Sequence, residues 1–190
     1  TEIYTAAAPN GDRDCIQTAQ QAGLFTNRSV NGGYVKPNDN TDQFSLPTHL
    51  PSAGASADVL NGPAEQARQQ GAWTTFCIHG FSGGAYNAFP IESLITSINK
   101  IKSYNDTWID SIVNVASYWQ GQKIVTQVQP TSNGNEKTWT WSLPSNFPKN
   151  RCLRITVDGG NVYQNGKKIG WDERGYYQIS LDEGSITLKP

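Results

Sequence analysis

The chain of 190 residues has no methionine, only two histidines and three cysteines, and nothing approaching the run of about 18 apolar residues that a membrane span requires. Each scarcity excludes something. Lacking an initiator methionine, the chain reads as processed or trimmed, and Thr1 is expected to lie downstream of the gene start. Cys15, Cys77 and Cys152 form no C-x-x-C pair and have no metal-ligand spacing. A cysteine zinc site is thereby excluded, and one disulfide with one free thiol stays open. Charge is sparse and balanced, 15 basic residues against 16 acidic, with no basic block interleaved with aromatics. Neither nucleic acid nor an anionic membrane is an expected partner, and a neutral substrate fits better. Asn, Gln, Ser and Thr supply the polarity instead. Together with six Trp and eight Tyr they hint at an exported, sugar-facing protein, because sugar rings stack their C–H faces on aromatics.

The length suffices for a real core. Residues 1–122 alternate short apolar runs with helical patterns. Residues 3–8 read as a strand and Pro9-Asn10-Gly11-Asp12 as a turn, since Asn-Gly tolerates positive φ. Asp14 can cap a helix running to Ala22, which Gly23 ends. Residues 30–55, dense in Asn, Gly, Pro and Ser, make a long irregular excursion, and long loops in compact domains commonly shape a site. Ser56 is a cap for a helix reaching Gln70 that Gly62-Pro63 must interrupt or restart. Ile91, Leu94, Ile95, Ile98 and Ile101 follow Pro90 at helical spacing, a stripe expected to pack on the sheet. Trp108-Ile109 reads as a short strand, and Ser111 caps a last helix that ends at Gly121. From Lys123 the texture changes to period-two alternation and turn signals, including Asn165-Gly166. Strands are expected near 138–143, 152–157, 161–163, 176–181 and 185–188, making an antiparallel β module over 123–190.

The most informative stretch is residues 73–80, Trp-Thr-Thr-Phe-Cys-Ile-His-Gly. Phe76, Cys77 and Ile78 form the continuous apolar run of a strand covered on both faces, and it delivers His79 into a loop. A histidine at the carboxyl end of such a strand is a candidate proton-transfer group, with a hydrogen-bonded structural histidine as the plain alternative. His49, alone in Leu-Pro-Thr-His-Leu, has no partner at helical spacing and reads as structural. Gly80-Phe81-Ser82-Gly83-Gly84 fits the Gly-x-Ser-x-Gly nucleophile elbow. No histidine follows Ser82, so the order Ser, Asp, His is not completed, and a Gly-rich turn also explains the pattern.

Three segments in order resemble the carboxyl-terminal part of polysaccharide deacetylases of the NodB-homology type, carbohydrate esterase family 4. Residues 4–12 (Tyr-Thr-Ala-Ala-Ala-Pro-Asn-Gly-Asp) are similar to the strand and loop of that family's Arg-x-Pro motif, with alanine where its arginine stands. Residues 71–79 resemble the late strand that ends in the family's active-site histidine. Trp108-Ile109-Asp110 with Val115-Ala116-Ser117-Tyr118-Trp119 resembles the last strand and helix.

The resemblance covers residues 1–122 and implies an α/β fold, a partial distorted (β/α) barrel of NodB type followed by a small all-β sandwich-like module. It also implies hydrolysis of acetyl groups on a polysaccharide, using a divalent metal such as zinc that polarises the carbonyl and activates water. His79 matches the acid to the leaving group, and the backbone N–H of Asn10 matches the oxyanion donor. Pro9, Gly11, Trp73 and Phe81 are the implied substrate contacts. The family's Asp-Asp motif and its His-x-x-x-His pair have no counterpart in this sequence. The metal ligands are therefore not expected in this chain, and a missing amino-terminal segment or a second copy is expected against the strand at residues 4–8.

The implied partner is an acetylated polysaccharide, and the implied location is extracellular or periplasmic. Asn27-Arg28-Ser29 and Asn105-Asp106-Thr107, possible glycan acceptors, point the same way. Two other readings remain. Trp139, Trp141, Trp171, Tyr163, Tyr176 and Tyr177 could form a glycan-binding face of a non-catalytic module, although Trp139 and Trp141, on one side of one strand, read first as core. A serine hydrolase built on Ser82 is the other.

Overall fold

Short runs of threonine and alanine become parallel strands in a computed structural model that describes residues 3–81 and 84–190. The chain divides into two compact units, Thr1–Ile112 and Val113–Pro190. In the first, β1 (Thr5–Ala7) pairs in parallel with β2 (Thr26–Arg28) through the crossover helix α1 (Arg13–Gln21). A parallel pair needs such a crossover, since a tight turn would reverse the chain. Asp12 rather than Asp14 caps α1, its Oδ1 accepting from the N–H of Asp14 at 2.7 Å and of Cys15 at 3.5 Å. Side-chain reach decides this: the cap must lie outside the first turn to meet its free N–H groups.

The pattern repeats with β3 (Thr48–His49), α2 (Asp58–Gln69) and β4 (Thr75–Phe76), again a parallel pair. A parallel bridge from Arg28 to Leu46 joins the two pairs, with the N–H of Leu46 on the Asn27 carbonyl and the N–H of Ser29 on the Leu46 carbonyl. The strands thus stand in chain order and point one way, so all their carboxyl ends lie at one end of the sheet. Among the described residues no barrel closes, since β1 pairs only with β2 and β4 only with β3. The first unit is mixed α/β, and the barrel expectation survives only as that parallel order. Residues 29–47 cross from β2 to β3 without a helix, and Val35 turns back to bridge Trp73 antiparallel.

Several local expectations are corrected. Pro63 lies inside a continuous α2. Gly62 before it has no Cβ to meet the proline ring, and the helix is held by the burial of Leu60, Ala64 and Ala67. Helix α3 (Ile91–Lys102) forms as expected, but Ile91, Ile95 and Ile98 face solvent while Ser97 and Ile101 are buried on the side packed against α2. Residues 107–110 form no strand, and Trp108 and Ile109 are exposed.

Helix α4 (Ile112–Thr126) runs past Gly121, and the second unit begins at Val113 within it, so the boundary read at residue 122 falls inside this helix. Gly121 is a place of close approach rather than a stop: a Cβ there would stand 2.5 Å from Cδ1 of the fully buried Leu181. Beyond α4 come β5 (Thr131–Asn133), β6 (Glu136–Thr140), β7 (Cys152–Ile155), β8 (Asn161–Gln164), β9 (Lys167–Lys168), β10 (Trp171–Asp172), β11 (Tyr176–Ser180) and β12 (Ser185–Lys189). They make antiparallel sheets of order β5-β6-β12-β8-β9 and β10-β11-β7. Gln164 ties the sheets together, its amide donating to the Ser180 carbonyl at 2.8 Å and its oxygen accepting from the Ser180 N–H at 2.9 Å. Trp141, Leu153, Val162, Ile179, Leu181 and Ile186 are buried, and the Trp141 indole N–H donates to the Leu181 carbonyl at 2.8 Å. Core packing of Trp141 is therefore the correct reading, and its polar atom has the partner that a buried indole needs.

Candidate functional site

Because the four strands are parallel, the segments that follow them gather at one end of the first unit: the Pro9–Gly11 turn, residues 29–33, residues 50–54, and the segment after β4 that carries His79. That last segment is the best tethered. Its neck is closed by the Phe89 N–H on the Gly80 carbonyl at 2.8 Å, and Phe89 is fully buried beneath it. Gly80 is required there, since a Cβ would meet that of Ala85 at 2.5 Å. Asn87, at φ 52, anchors the far side through its amide, which donates to the Pro51 carbonyl at 2.9 Å and accepts from the Ala53 N–H at 2.7 Å. The N–H of Gly54 adds a bond to the Ala88 carbonyl at 3.2 Å.

From this anchored segment His79 projects into solvent. Among the described residues its imidazole makes no hydrogen bond and meets one ring, Tyr86, edge-on with centroids 5.3 Å apart and planes at 86°. Both ring nitrogens are thus available to a ligand. Phe81, in the same segment, is 47% exposed. Ser82 and Gly83, the centre of the Gly-x-Ser-x-Gly pattern, lie outside the described residues.

The other implied site residues are placed less closely. Pro9, Asn10 and Gly11 form a 3-10 turn in which Asn10 (φ 51) and Gly11 (φ 69) are both left-handed. Gly11 abuts Val30, whose Cγ2 would stand 2.7 Å from a Cβ at that position. The Gly11 N–H is taken by the Ala8 carbonyl, whereas that of Asn10 meets no acceptor among the described residues. The Pro9–Gly11 turn and His79 follow the two outer strands of the order, three inter-strand spacings or about 14 Å apart along the sheet. No hydrogen bond or ring contact joins them. Trp73 pairs with Val35 on the amino-terminal side of β4, six residues before His79 in the chain.

His49 is built into the sheet end. Its Nε2 accepts from the Gly33 N–H at 3.3 Å, its Nδ1 edge abuts Gly32, and its ring lies between Tyr34 and Phe76. With one nitrogen committed and the other walled by backbone, it fits a structural role and not a metal ligand. No group of three His, Cys, Asp or Glu side chains gathers among the described residues. Cys15, Cys77 and Cys152 are all free thiols, which sets aside the disulfide option.

An open hollow of about 420 Å³ lies elsewhere, between α2 and α3, lined by Asp58, Asn61, Gly62, Glu65, Lys100 and Tyr104. It contains none of the implied site residues. Beside it, Arg68 holds Asp106 at 2.8 Å and Glu65 at 3.2 Å and stacks on Tyr104, 4.7 Å from the ring centre. The Gln69 amide, then Tyr104 and Arg68, draw the Glu65 carboxyl below its ordinary range, and Arg68 does the same to Asp106.

In the second unit the six aromatics do not share a face. Tyr163 pairs with Thr187 while Trp139 pairs with Ile186, which places the two rings on opposite sides of one sheet. Tyr176 and the buried Tyr177 alternate on β11. Of the two possible glycan acceptors, Asn27 is fully buried with its amide donating to the Phe44 carbonyl, which removes it as an acceptor in the folded chain. Asn105 is exposed at φ 60.

Comparison of the chain with protein-family models, with curated proteins and with solved structures finds no match. The helices are too short or too polar to cross a membrane among the described residues. Residue-level reading missed Tyr86 and Asn87. A signal for this segment was present all the same: no Lys, Arg, Asp or Glu occurs between Asp42 and Asp58 or between Arg68 and Glu92.

Proposed function

We propose that this chain contributes the later part of the active site of a polysaccharide deacetylase, with His79 as the proton donor to the leaving group. The observation that carries the reading is His79 itself: an exposed imidazole that makes no hydrogen bond among the described residues, at the carboxyl end of a parallel strand. Strand ends of this kind are where open parallel sheets hold ligands. In the reaction, water adds to the acetyl carbonyl, the bond from that carbon to the sugar nitrogen or oxygen breaks, and acetate leaves. The departing nitrogen or oxygen needs a proton, which His79 supplies as general acid. Asn10, which the resemblance gives as the oxyanion donor, is left out of the site: the oxyanion and the leaving atom are bonded to one carbon, and about 14 Å along the sheet is too far for that carbon to meet both Asn10 and His79.

The deacetylases that the sequence resembles use a divalent metal to polarise that carbonyl. The described residues do not supply its ligands, so a metal would have to be held by protein beyond them. Export from the cytoplasm belongs to the same proposal, with Asn105-Asp106-Thr107 as the acceptor sequence whose asparagine is exposed.

The test is acetate release from acetylated chitooligosaccharide and acetylated xylan by the product of the complete gene, with and without a chelator. His79→Ala is expected to lower the rate by roughly 10²-fold or more. An unaffected rate in that variant removes His79 from the chemistry, and release indifferent to chelation removes the metal-dependent deacetylase reading.

A further inference from the structure

We infer that Tyr86 is a stacking platform for a pyranose ring of a neutral polysaccharide, forming a sugar subsite directly beside His79. The inference rests on the reading of His79 as a carbohydrate-processing group and specifies what lies next to it. Tyr86 is 80% exposed, the most exposed of the large apolar side chains, and among the described residues its ring meets only that of His79. Tyr86 directly precedes Asn87, whose amide makes two bonds to Pro51 and Ala53, and the Phe89 N–H donates to the Gly80 carbonyl, so the chain is tethered on the carboxyl side of the tyrosine before any ligand arrives. Binding to a preorganised aromatic loses little further freedom, which is where affinity is gained.

Charge selects the class of ligand. The segments at this end of the sheet, from Asp42 to Asp58 and from Arg68 to Glu92, carry no charged side chain between those limits. A phosphate or a uronic acid would find no Lys or Arg in them to replace its lost water, only the exposed imidazole of His79. A neutral sugar needs only an apolar face for its C–H groups and a few polar atoms for its hydroxyls. Tyr86 provides the face, and the phenolic hydroxyl and His79 provide polar atoms. Phe81, half exposed in the same segment, offers a second apolar contact.

The experiment follows the His79 and Tyr86 ring signals by NMR while the whole chain is titrated with N-acetylated chitohexaose, with xylohexaose, and with hexagalacturonate as the charged control. At least one neutral hexamer is expected to shift both rings in a saturable way. Tyr86→Ala is expected to weaken that binding about tenfold and Tyr86→Phe no more than about threefold, the usual scale for one aromatic contact. The side chain is exposed, so its removal leaves the core intact, and unchanged His49 signals verify it. If a neutral hexamer still shifts His79 and Tyr86→Ala binds it as tightly as the parent, the subsite is overturned while the reading of His79 stands. Tighter binding of hexagalacturonate than of either neutral sugar overturns the neutral class. No saturable shift of His79 with any of the three defeats the carbohydrate reading and the subsite with it.

Discussion

Asn87 shows how much a single residue does at this site. Its backbone is left-handed, which asparagine tolerates better than most residues, and its side chain closes two bonds to the segment after β3. Asn87→Ala is expected to cost about 1–3 kcal/mol through the lost bonds and the strain of a Cβ residue at that φ. Asn87→Gly keeps the backbone and loses only the bonds, so it should cost less. Thermal melts rank the two variants, and equal stability of Asn87→Ala and the parent would remove the anchoring role. The left-handed Asn10 and Asn165 were legible because each precedes glycine in an Asn-Gly turn signal. Asn87 precedes alanine, and its partners Pro51 and Ala53 are more than thirty positions away. No local pattern could announce it. Gly121 misled for the related reason that glycine marks both helix ends and close approaches, and only Leu181 decides between them. Gly121→Ala is expected to destabilise the second unit by about 1–3 kcal/mol, the usual penalty for overpacking.

Helix α2 and the segment after α3 carry a pH response that can be worked out from the ion network of Glu65, Arg68 and Asp106. Glu65 and Asp106 are both held below their ordinary values, the first chiefly by the Gln69 amide and the second by Arg68. A carboxylate with a depressed folded pKa adds stability that is present above its unfolded value of about 4 and is lost as pH falls through the folded value. The first unit should therefore hold constant from neutrality to about pH 5 through these groups and weaken below about pH 4. Asp106→Asn should be the less stable form near pH 7, and the difference from the parent should shrink in acid. The groups are exposed, so the effect is modest and should diminish in high salt. A parent–variant difference independent of pH would show that Arg68 and Asp106 are not coupled in solution. At this scale the sequence predicted element types well, because helical and alternating periods are local. It did not predict what covers each face. The stripe Ile91, Ile95 and Ile98 is as apolar as a core stripe, yet it faces solvent while Ser97 and Ile101 turn toward α2. Periodicity identifies a face and says nothing about its neighbour.

Taken whole, the molecule joins two sheet systems that differ in how local they are. The first unit has its strands in chain order, each reached by a short crossover or loop, and that order was close to legible from the alternation of strand and helix patterns. The second places β12 between β6 and β8, so the last strand completes a sheet begun some fifty residues earlier. Such pairing depends on cross-strand packing that no single stretch contains. The division into units falls within α4 because Gly121 commits that helix to Leu181, not because composition changes there.

Two units with separate cores should unfold as two cooperative steps, and the variants already named can assign them. In calorimetry of the full chain, Asp106→Asn near neutral pH is expected to lower one transition only. Gly121→Ala is expected to lower only the other, by roughly 4–8 °C for each kcal/mol lost in a domain of this size. Loss of β12 by truncation before Ser185 should abolish the transition sensitive to Gly121, since it removes the strand that bridges β6 and β8. A single transition that both substitutions shift equally would mean that the units share one cooperative core. The pH response of α2 and the segment after α3 would then be felt across the whole chain instead of within the unit that carries His79.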